Sequence, residues 1–102
     1  MSLKKQYLKS KPECKVTFVL DSKQAENATK ATLVGEFNDW NERITVMTKL
    51  KNGSFKVNLS LPTDHSYQFR YLVDGKFWIN DDSADSYVHN TVSDEDNSVI
   101  KL

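Results

Sequence analysis

The feature that most constrains the fold is an alternation of apolar and polar residues with a period of two. It is clearest where Phe55, Val57, Leu59 and Leu61 alternate with polar residues. Because successive side chains of a β-strand point to opposite faces, this alternation predicts a strand with one buried and one solvated face. Related patterns predict six further short strands: Lys15–Leu20, Thr29–Val34, Ile44–Leu50, Tyr67–Val73, Lys76–Ile79 and Ser98–Leu102.

Turn residues separate several of these strands. Asn52-Gly53 and Asp74-Gly75 each lie between two strand patterns, and such dipeptides supply the positive φ angles of tight hairpin turns. About seven short strands joined in this way predict an all-β fold, an antiparallel β-sandwich. Asn80–Asp96 is predicted to be a long polar loop, of a length that in compact domains is usually either functional or mobile.

The length and charge of the chain limit its organisation and its partners. With 102 residues it has the size of one domain. We expect a basic N-terminal arm over residues 1–12, partly ordered at best, and a single domain over residues 13–102. Lys and Arg number 14, as do Asp and Glu, so no basic excess favours nucleic acid or an anionic membrane. No apolar run approaches the roughly 20 residues needed to span a bilayer.

The sequence offers little for catalysis, metal binding or a cofactor. Cys14 is the only cysteine, which excludes an intramolecular disulfide and a cysteine-based metal cluster. His65 and His89 lack neighbours at ligand spacing. We find no pairing of nucleophile and base, so we expect no enzymatic activity and no cofactor. The N-terminus lacks the apolar segment of a secretory signal, which predicts a cytoplasmic protein.

Trp40 lies inside a polar turn, within the sequence GEFNDWN of Gly35–Asn41. Phe37 can anchor this turn in the core, which leaves Trp40 at the surface or partly packed. Spacing alone leaves two interpretations open, a side chain that plugs a gap in the packing and a platform for a ligand.

Trp78, the other tryptophan, follows the second predicted hairpin turn. Adjacent strand residues point to opposite faces, so we expect Phe77 and Ile79 to point inward and Trp78 outward. Arg70 lies on the polar face of its strand and is expected to be exposed, where a solvated charge is the common case. Two exposed indoles beside amides and a guanidinium suit a sugar, because flat rings stack on pyranose C–H groups while polar groups bind hydroxyls.

Four segments in order resemble carbohydrate-binding module family 48: Gly35–Asn41, Tyr67–Gly75, Trp78–Asp81 and Asn97–Ile100. This family includes the early-set domain at the N-terminus of isoamylases and glycogen branching enzymes. It also includes the glycogen-binding domain of the AMP-activated protein kinase β subunit. The resemblance extends over residues 14–102, and the N-terminal residues further resemble small bacterial proteins that consist of this domain alone.

The resemblance implies an immunoglobulin-like β-sandwich that binds α-1,4-glucan such as glycogen, starch or malto-oligosaccharide. It implies that two tryptophans stack on glucose units while a basic residue and an asparagine bind sugar hydroxyls. The implied glycan-binding residues are Trp40, Trp78, Arg70 and Asn97, with Lys76 and Asn38 as further candidates.

A different function stays open beside glucan binding. The same aromatic patch could dock on a glycogen- or starch-active enzyme or on a second copy of the chain, because tryptophan is also a favoured interface anchor. The sequence therefore predicts a non-catalytic glucan-binding module, with a protein-interaction domain as the alternative.

Overall fold

The computed structural model describes residues 3–90 and 95–102, and β-strands dominate these residues. The strands in chain order are β1 Leu3–Tyr7, β2 Glu13–Leu20, β3 Ala31–Gly35, β4 Thr48–Lys49, β5 Phe55–Pro62, β6 Ser66–Val73, β7 Phe77–Ile79, β8 Ser86–Asn90 and β9 Glu95–Lys101. Two short helices interrupt them: α1 at Ser22–Ala25 and a 3-10 helix at Glu36–Asn38. None of the helices in the described part of the chain is long and apolar enough to cross a bilayer.

The strands form two antiparallel sheets. The first sheet has the order β1-β2-β5-β4, and the second has the order β3-β6-β9-β8, with β7 also pairing with β6. The first half of β6 pairs with β9 and the second half with β7, whereas β3 lies on the other side of β6. This arrangement confirms the predicted all-β, immunoglobulin-like sandwich.

The inner faces of the two sheets enclose the hydrophobic core. Phe18 of the first sheet packs edge-on against Phe69 of the second, with ring centroids 5.2 Å apart. Phe69 in turn lies edge-on to Tyr71 at 5.8 Å. The inward faces predicted for β5 and β6 are confirmed, since Phe55, Phe69 and Tyr71 are almost completely buried. Fully burying an aromatic side chain of this kind stabilises the fold by about 1.5–3 kcal/mol.

Both predicted glycine turns are present. Asp74 and Gly75 have φ angles of 52° and 66°, and Lys76 N donates to Val73 O at 3.0 Å, which is a β-turn of the mirror-image type. Because Val73 pairs with Phe77, the connection between β6 and β7 has three residues. The turn before β5 differs, because only Gly53 has a positive φ, at 89°, and its N–H donates to Leu50 O at 3.0 Å. That geometry is a longer hairpin loop with glycine in the left-handed position.

The N-terminal segment differs from the predicted arm. Leu3–Tyr7 form β1, which pairs with β2 from Leu3 opposite Phe18 to Tyr7 opposite Cys14. Only Leu3 of this strand is buried, so the strand has no apolar alternation that the sequence could reveal. Its lysines are typical of an edge strand, where charge discourages pairing with other chains.

The predicted loop Asn80–Asp96 is wrong over part of its length. Ser86–Asn90 form β8, an edge strand paired with β9, and β9 itself begins at Glu95. The rest of the predicted loop includes residues 91–94, which lie outside the described residues. A further difference concerns Ile44–Leu50, which contributes only the two-residue strand β4 and one isolated bridge, between Val46 and Thr32.

The outer face of the second sheet carries its own apolar layer. Val34, Leu72 and Val99 are buried but lie outside the core cluster. They alternate with inward-facing residues along β3, β6 and β9, and therefore point away from the core. Side chains from this outer face and its loops must cover them, and the candidate site lies among those side chains.

Candidate functional site

Strand β6 organises the candidate site on the outer face of the second sheet. Gln68, Arg70 and Leu72 point outward because they alternate with the inward-facing residues of β6. Trp78 of β7 lies opposite Leu72. β6 pairs with β9 up to Phe69 opposite Ser98, and one residue further in this register Arg70 lies opposite Asn97. Directly opposite residues share a face of the sheet, so Trp78, Arg70 and Asn97 lie together.

The expectation that Arg70 is exposed is wrong, since only 6% of the residue is accessible. Its guanidinium carbon lies 5.4 Å from the centroid of the Trp78 ring, a cation–π contact worth about 0.5–2 kcal/mol. Arg70 Nη2 also donates to Glu95 Oε2 in an ion pair. The strand is flanked on both sides, so neighbouring side chains cover the arginine.

Trp78 points outward, as predicted, and is 38% exposed. Phe77 lies opposite Val73 and so on the inner side of the sheet, as expected, but it does not enter the core and is 64% exposed. Phe77 begins β7 directly after the turn, whereas Ile79, two residues further into the sheet, packs against the core cluster. The hairpin therefore holds one large aromatic at the site and leaves a second one free of the core.

Asn97 and Arg70 each keep one polar atom without a hydrogen-bond partner among the described residues. Asn97 is 3% exposed, and its Nδ2 donates to Gln68 Oε1 at 3.0 Å. Its Oδ1 has no partner, and neither does Nε of Arg70. Unpaired buried polar atoms are rare and costly in folded proteins. One acceptor and one donor on the same face, next to Trp78, are therefore buried and unpaired within the described residues.

Trp40 lies in the loop that follows β3, and its backbone is unusual. Asp39 and Trp40 have φ angles of 56° and 57°, and Trp40 N donates to Gly35 O at 2.9 Å. The left-handed region disfavours bulky side chains and costs about 1–3 kcal/mol for a residue held there. The turn nevertheless presents an indole that is 38% exposed.

The buried amide of Asn38 holds this loop in shape. Its Oδ1 accepts from Gly35 N at 3.0 Å, and its Nδ2 donates to Leu33 O at 2.9 Å and to Thr45 Oγ1 at 3.0 Å. Asn38 is only 9% exposed, so the structure commits its amide to the loop that carries Trp40.

Two further contacts fix the same loop against β6. Glu36 Oε1 accepts from Gln68 N at 2.6 Å. A Cβ atom on Gly35 would lie 2.6 Å from Gln68 O and 2.7 Å from Phe69 Cβ, which is closer than real contacts allow. Only glycine lets the end of β3 approach β6 this closely.

A shallow groove of about 280 Å³ lies between the loop after β3 and the hairpin that carries Trp78. Thr32 and Leu72 from the outer face contribute to it, with Glu42 and Arg43 from one side and Asp74 and Gly75 from the other. Lys76, in the hairpin turn, is exposed nearby along the chain. The groove lies between the segments that carry the tryptophans, but its lining includes neither Trp40 nor Trp78.

A buried network supports the site from below. Tyr71 OH donates to Asp81 Oδ2 at 2.6 Å, and Asp81 is fully buried. Burial, followed by the charge of Asp81, raises the pKa of Tyr71 well above its usual value. Asp81 N also donates to Ser98 Oγ at 2.8 Å, which ties the segment after Trp78 to β9.

Sequence reasoning missed three polar residues of this region. It placed both Asp81 and Glu95 in the long polar loop Asn80–Asp96 and gave no role to Gln68. The buried hydroxyl of Tyr71 was an indication of Asp81, because a buried tyrosine usually needs a hydrogen-bond partner. Among residues 3–90 and 95–102, no three His, Cys, Asp or Glu side chains come together as ligands for a metal ion.

The fold is an immunoglobulin-like β-sandwich in which Trp40 and Trp78 are each 38% exposed. Residues 16–101 match the family described as the glycogen recognition site of AMP-activated protein kinase. Because this match covers most of the chain, the protein belongs to that family, which is part of carbohydrate-binding module family 48. The resemblance noted in the sequence is thereby confirmed. Curated proteins gave no match to the chain.

Proposed function

We propose that the protein binds α-1,4-glucan without transforming it, through the outer face of the second sheet. Trp40 and Trp78 stack on glucose rings, and Arg70 and Asn97 bind hydroxyl groups. One observation carries this proposal: Arg70 and Asn97 are buried, yet within residues 3–90 and 95–102 each keeps a polar atom without a hydrogen-bond partner, on the face where Trp78 is exposed. Membership of a family of non-catalytic glycogen-binding domains supports it.

The chemistry of the face suits a neutral sugar. Hydroxyl groups donate and accept, so a glucose unit can satisfy Asn97 Oδ1 and Arg70 Nε together. Trp78 adds an apolar surface for the C–H groups of the ring. The charge of Arg70 is already balanced by Glu95, which lowers the attraction of the face for anions and suits an uncharged ligand.

The left-handed backbone conformation of Trp40 supports the proposal. A bulky residue in the left-handed region is unfavourable, and such strain occurs often at functional sites. Asn38 shapes this loop through its three hydrogen bonds, so we assign it to positioning Trp40. Lys76 is exposed in the adjacent hairpin turn and is a further candidate for sugar contact.

The affinity should be modest, because two stacking contacts and a few hydrogen bonds compete with water. We expect a Kd of roughly 10 μM to 1 mM, which corresponds to about 4–7 kcal/mol.

A fluorescence titration tests this function. Maltoheptaose is added to the pure protein while tryptophan emission is recorded, with cellohexaose as the β-linked control. A saturable change with maltoheptaose alone supports the proposal. No change up to roughly 10 mM, a limit of about 3 kcal/mol of binding free energy, would overturn it, and no turnover of either glucan is expected.

Exposed aliphatic residues favour one alternative, a docking surface for another protein. Ile44 is 64% exposed and Val46 48% exposed in the segment next to β3, and Val88 of β8 is 43% exposed. Such residues could contact a glucan-active enzyme or a second copy of the chain. Size-exclusion mass and pull-down of an amylase-type enzyme, each with and without maltoheptaose, separate this function from glucan binding.

We also propose a cytoplasmic location. Cys14 is a free thiol and is buried in the core, which fits a reducing compartment. Fractionation of cells that express the protein would test this location.

A further inference from the structure

Two residues without an assigned role form hydrogen bonds with polar side chains of the candidate site. Gln68 accepts a hydrogen bond from Asn97, and Glu95 accepts one from Arg70. Each contact engages one polar atom of a side chain in which another, Oδ1 of Asn97 or Nε of Arg70, has no partner among the described residues. These two hydrogen bonds therefore determine which atom of Asn97 and of Arg70 faces a ligand, and how firmly that atom is held.

The contact of Gln68 fixes the orientation of the Asn97 amide. An asparagine amide has a donor end and an acceptor end, and rotation by half a turn exchanges them at little intrinsic cost. Because Gln68 Oε1 accepts from Asn97 Nδ2 at 3.0 Å, the donor end is directed toward Gln68. Asn97 Oδ1 is then the atom left for a ligand, so the site offers an acceptor at this position.

The contact of Glu95 fixes the Arg70 guanidinium in a similar way. The side chain of Arg70 is 8% exposed, whereas that of Glu95 is 58% exposed. The guanidinium is planar, so a bond at Nη2 together with the Trp78 ring against the group restricts the direction of Nε–H. Without Glu95 the buried guanidinium of Arg70 would lose the carboxylate that pairs with its charge, and the guanidinium would turn toward water.

We propose that Gln68 and Glu95 are positioning residues of the glucan-binding face: Gln68 orients Asn97, and Glu95 orients Arg70 beneath Trp78. One acceptor and one donor are thereby kept available for sugar hydroxyls. The inference rests on the proposed glucan binding, but it assigns roles to residues that would not themselves contact the sugar.

Paired substitutions at Gln68 test the first half. Gln68→Met keeps the volume but removes the acceptor, so the Asn97 amide is released and maltoheptaose should bind about 3- to 10-fold more weakly, the loss expected for one hydrogen bond. Gln68→Glu keeps an acceptor and should bind within about 2-fold of the wild type, a difference of about 0.4 kcal/mol. Gln6→Met, on the exposed face of β1, is the control and should change nothing.

Paired substitutions at Glu95 test the second half. Glu95→Ala should weaken maltoheptaose binding by about 3- to 10-fold and shift tryptophan emission in the free protein, because Arg70 leaves the Trp78 ring. Glu95→Gln keeps an oxygen acceptor for Arg70 and should restore most of the affinity. The emission shift should disappear when both proteins also carry Trp78→Phe, which assigns it to this indole.

The outcomes separate the inference from the function on which it rests. Calorimetry is combined with a urea midpoint for each variant, so a loss of fold is recognised. Wild-type affinity in Gln68→Met, or equal losses in Gln68→Met and Gln68→Glu, would refute the role of Gln68. Wild-type affinity and emission in Glu95→Ala would refute that of Glu95. Absence of maltoheptaose binding by the wild type would instead overturn the proposed function itself.

Discussion

Replacing Trp40 with alanine removes one of the two stacking surfaces that we propose for the glucan. The side chain is 38% exposed, and a tryptophan has roughly 250 Å² to bury, so about 95 Å² is available to a ligand. A pyranose ring that covers half to all of this area contributes about 1–2.4 kcal/mol at ~25 cal/mol per Å². The expected result is a roughly 5- to 50-fold increase in Kd for maltoheptaose.

Isothermal titration calorimetry with maltoheptaose measures this change directly. Phe77→Ala is the matched control, because it removes an even more exposed aromatic, 64% accessible, from the residue adjacent to Trp78. Adjacent residues on a strand face opposite ways, so the control should bind like the wild type. Trp40→Phe, which keeps a smaller flat ring, should lie between the wild type and Trp40→Ala.

Two results would contradict this reasoning. An unchanged Kd in Trp40→Ala would remove Trp40 from the binding face. An equal loss of maltoheptaose affinity in Trp40→Ala and Phe77→Ala would show that any exposed aromatic side chain contributes to binding, and that Trp40 is not part of a defined platform. Urea unfolding of each variant confirms that the affinities compare folded proteins.

Further predictions concern stability. Trp40→Gly should be about 1 kcal/mol more stable to urea than Trp40→Ala, because glycine tolerates the φ of 57°; the reverse order would contradict strain at this position. Gly35→Ala should cost about 1–3 kcal/mol, since its Cβ would lie 2.6 Å from a carbonyl oxygen; an unchanged urea midpoint would refute the close approach. Burial tends to raise the pKa of Asp85, but hydrogen bonds from Lys101 N and Lys5 Nζ outweigh it and lower the pKa. The ionised Asp85 carboxylate therefore stabilises the fold above its unfolded pKa of about 3.9, and this stabilisation is lost as pH falls through the lower folded pKa. When melting temperature is measured against pH, Asp85→Asn should show a smaller decrease at acid pH than the wild type. Tyr71 has a raised pKa, so its contribution holds below about pH 10 and is lost as pH rises further; Tyr71→Phe should remove that alkaline loss.

The sequence predicted most of the sandwich because burial on one face leaves a direct trace. In β5 and β6 every second residue is apolar, and these residues line the core. Strand β1 has a single buried residue, and its pairing comes from backbone hydrogen bonds that any sequence can make. Strand β8 lies at the other edge, within a polar stretch. Edge strands are therefore the elements that alternation does not reveal.

The sequence suggested the candidate residues but not their burial. Motif order pointed to Trp40, Trp78, Arg70 and Asn97 as candidates, which no structural observation yet tests, whereas alternation assigned Arg70 to solvent because charged residues on an outer face are usually wet. The buried guanidinium instead pairs with Glu95, which lies 25 residues further along the chain. Contacts between residues this distant in sequence arise from the register of β6 and β9, which local patterns do not specify.

We propose that the inner face of the second sheet serves stability and its outer face recognition. The inner face packs aromatic rings into a core with well-satisfied contacts, whereas the outer face keeps buried polar atoms unpaired and holds a tryptophan loop in a strained backbone. Each of these outer features costs free energy in the unbound protein. A chain of this size folds with only about 5–15 kcal/mol to spare. The large inner core must therefore offset these costs. A ligand that forms hydrogen bonds with Asn97 Oδ1 and Arg70 Nε should raise the melting temperature as well as bind.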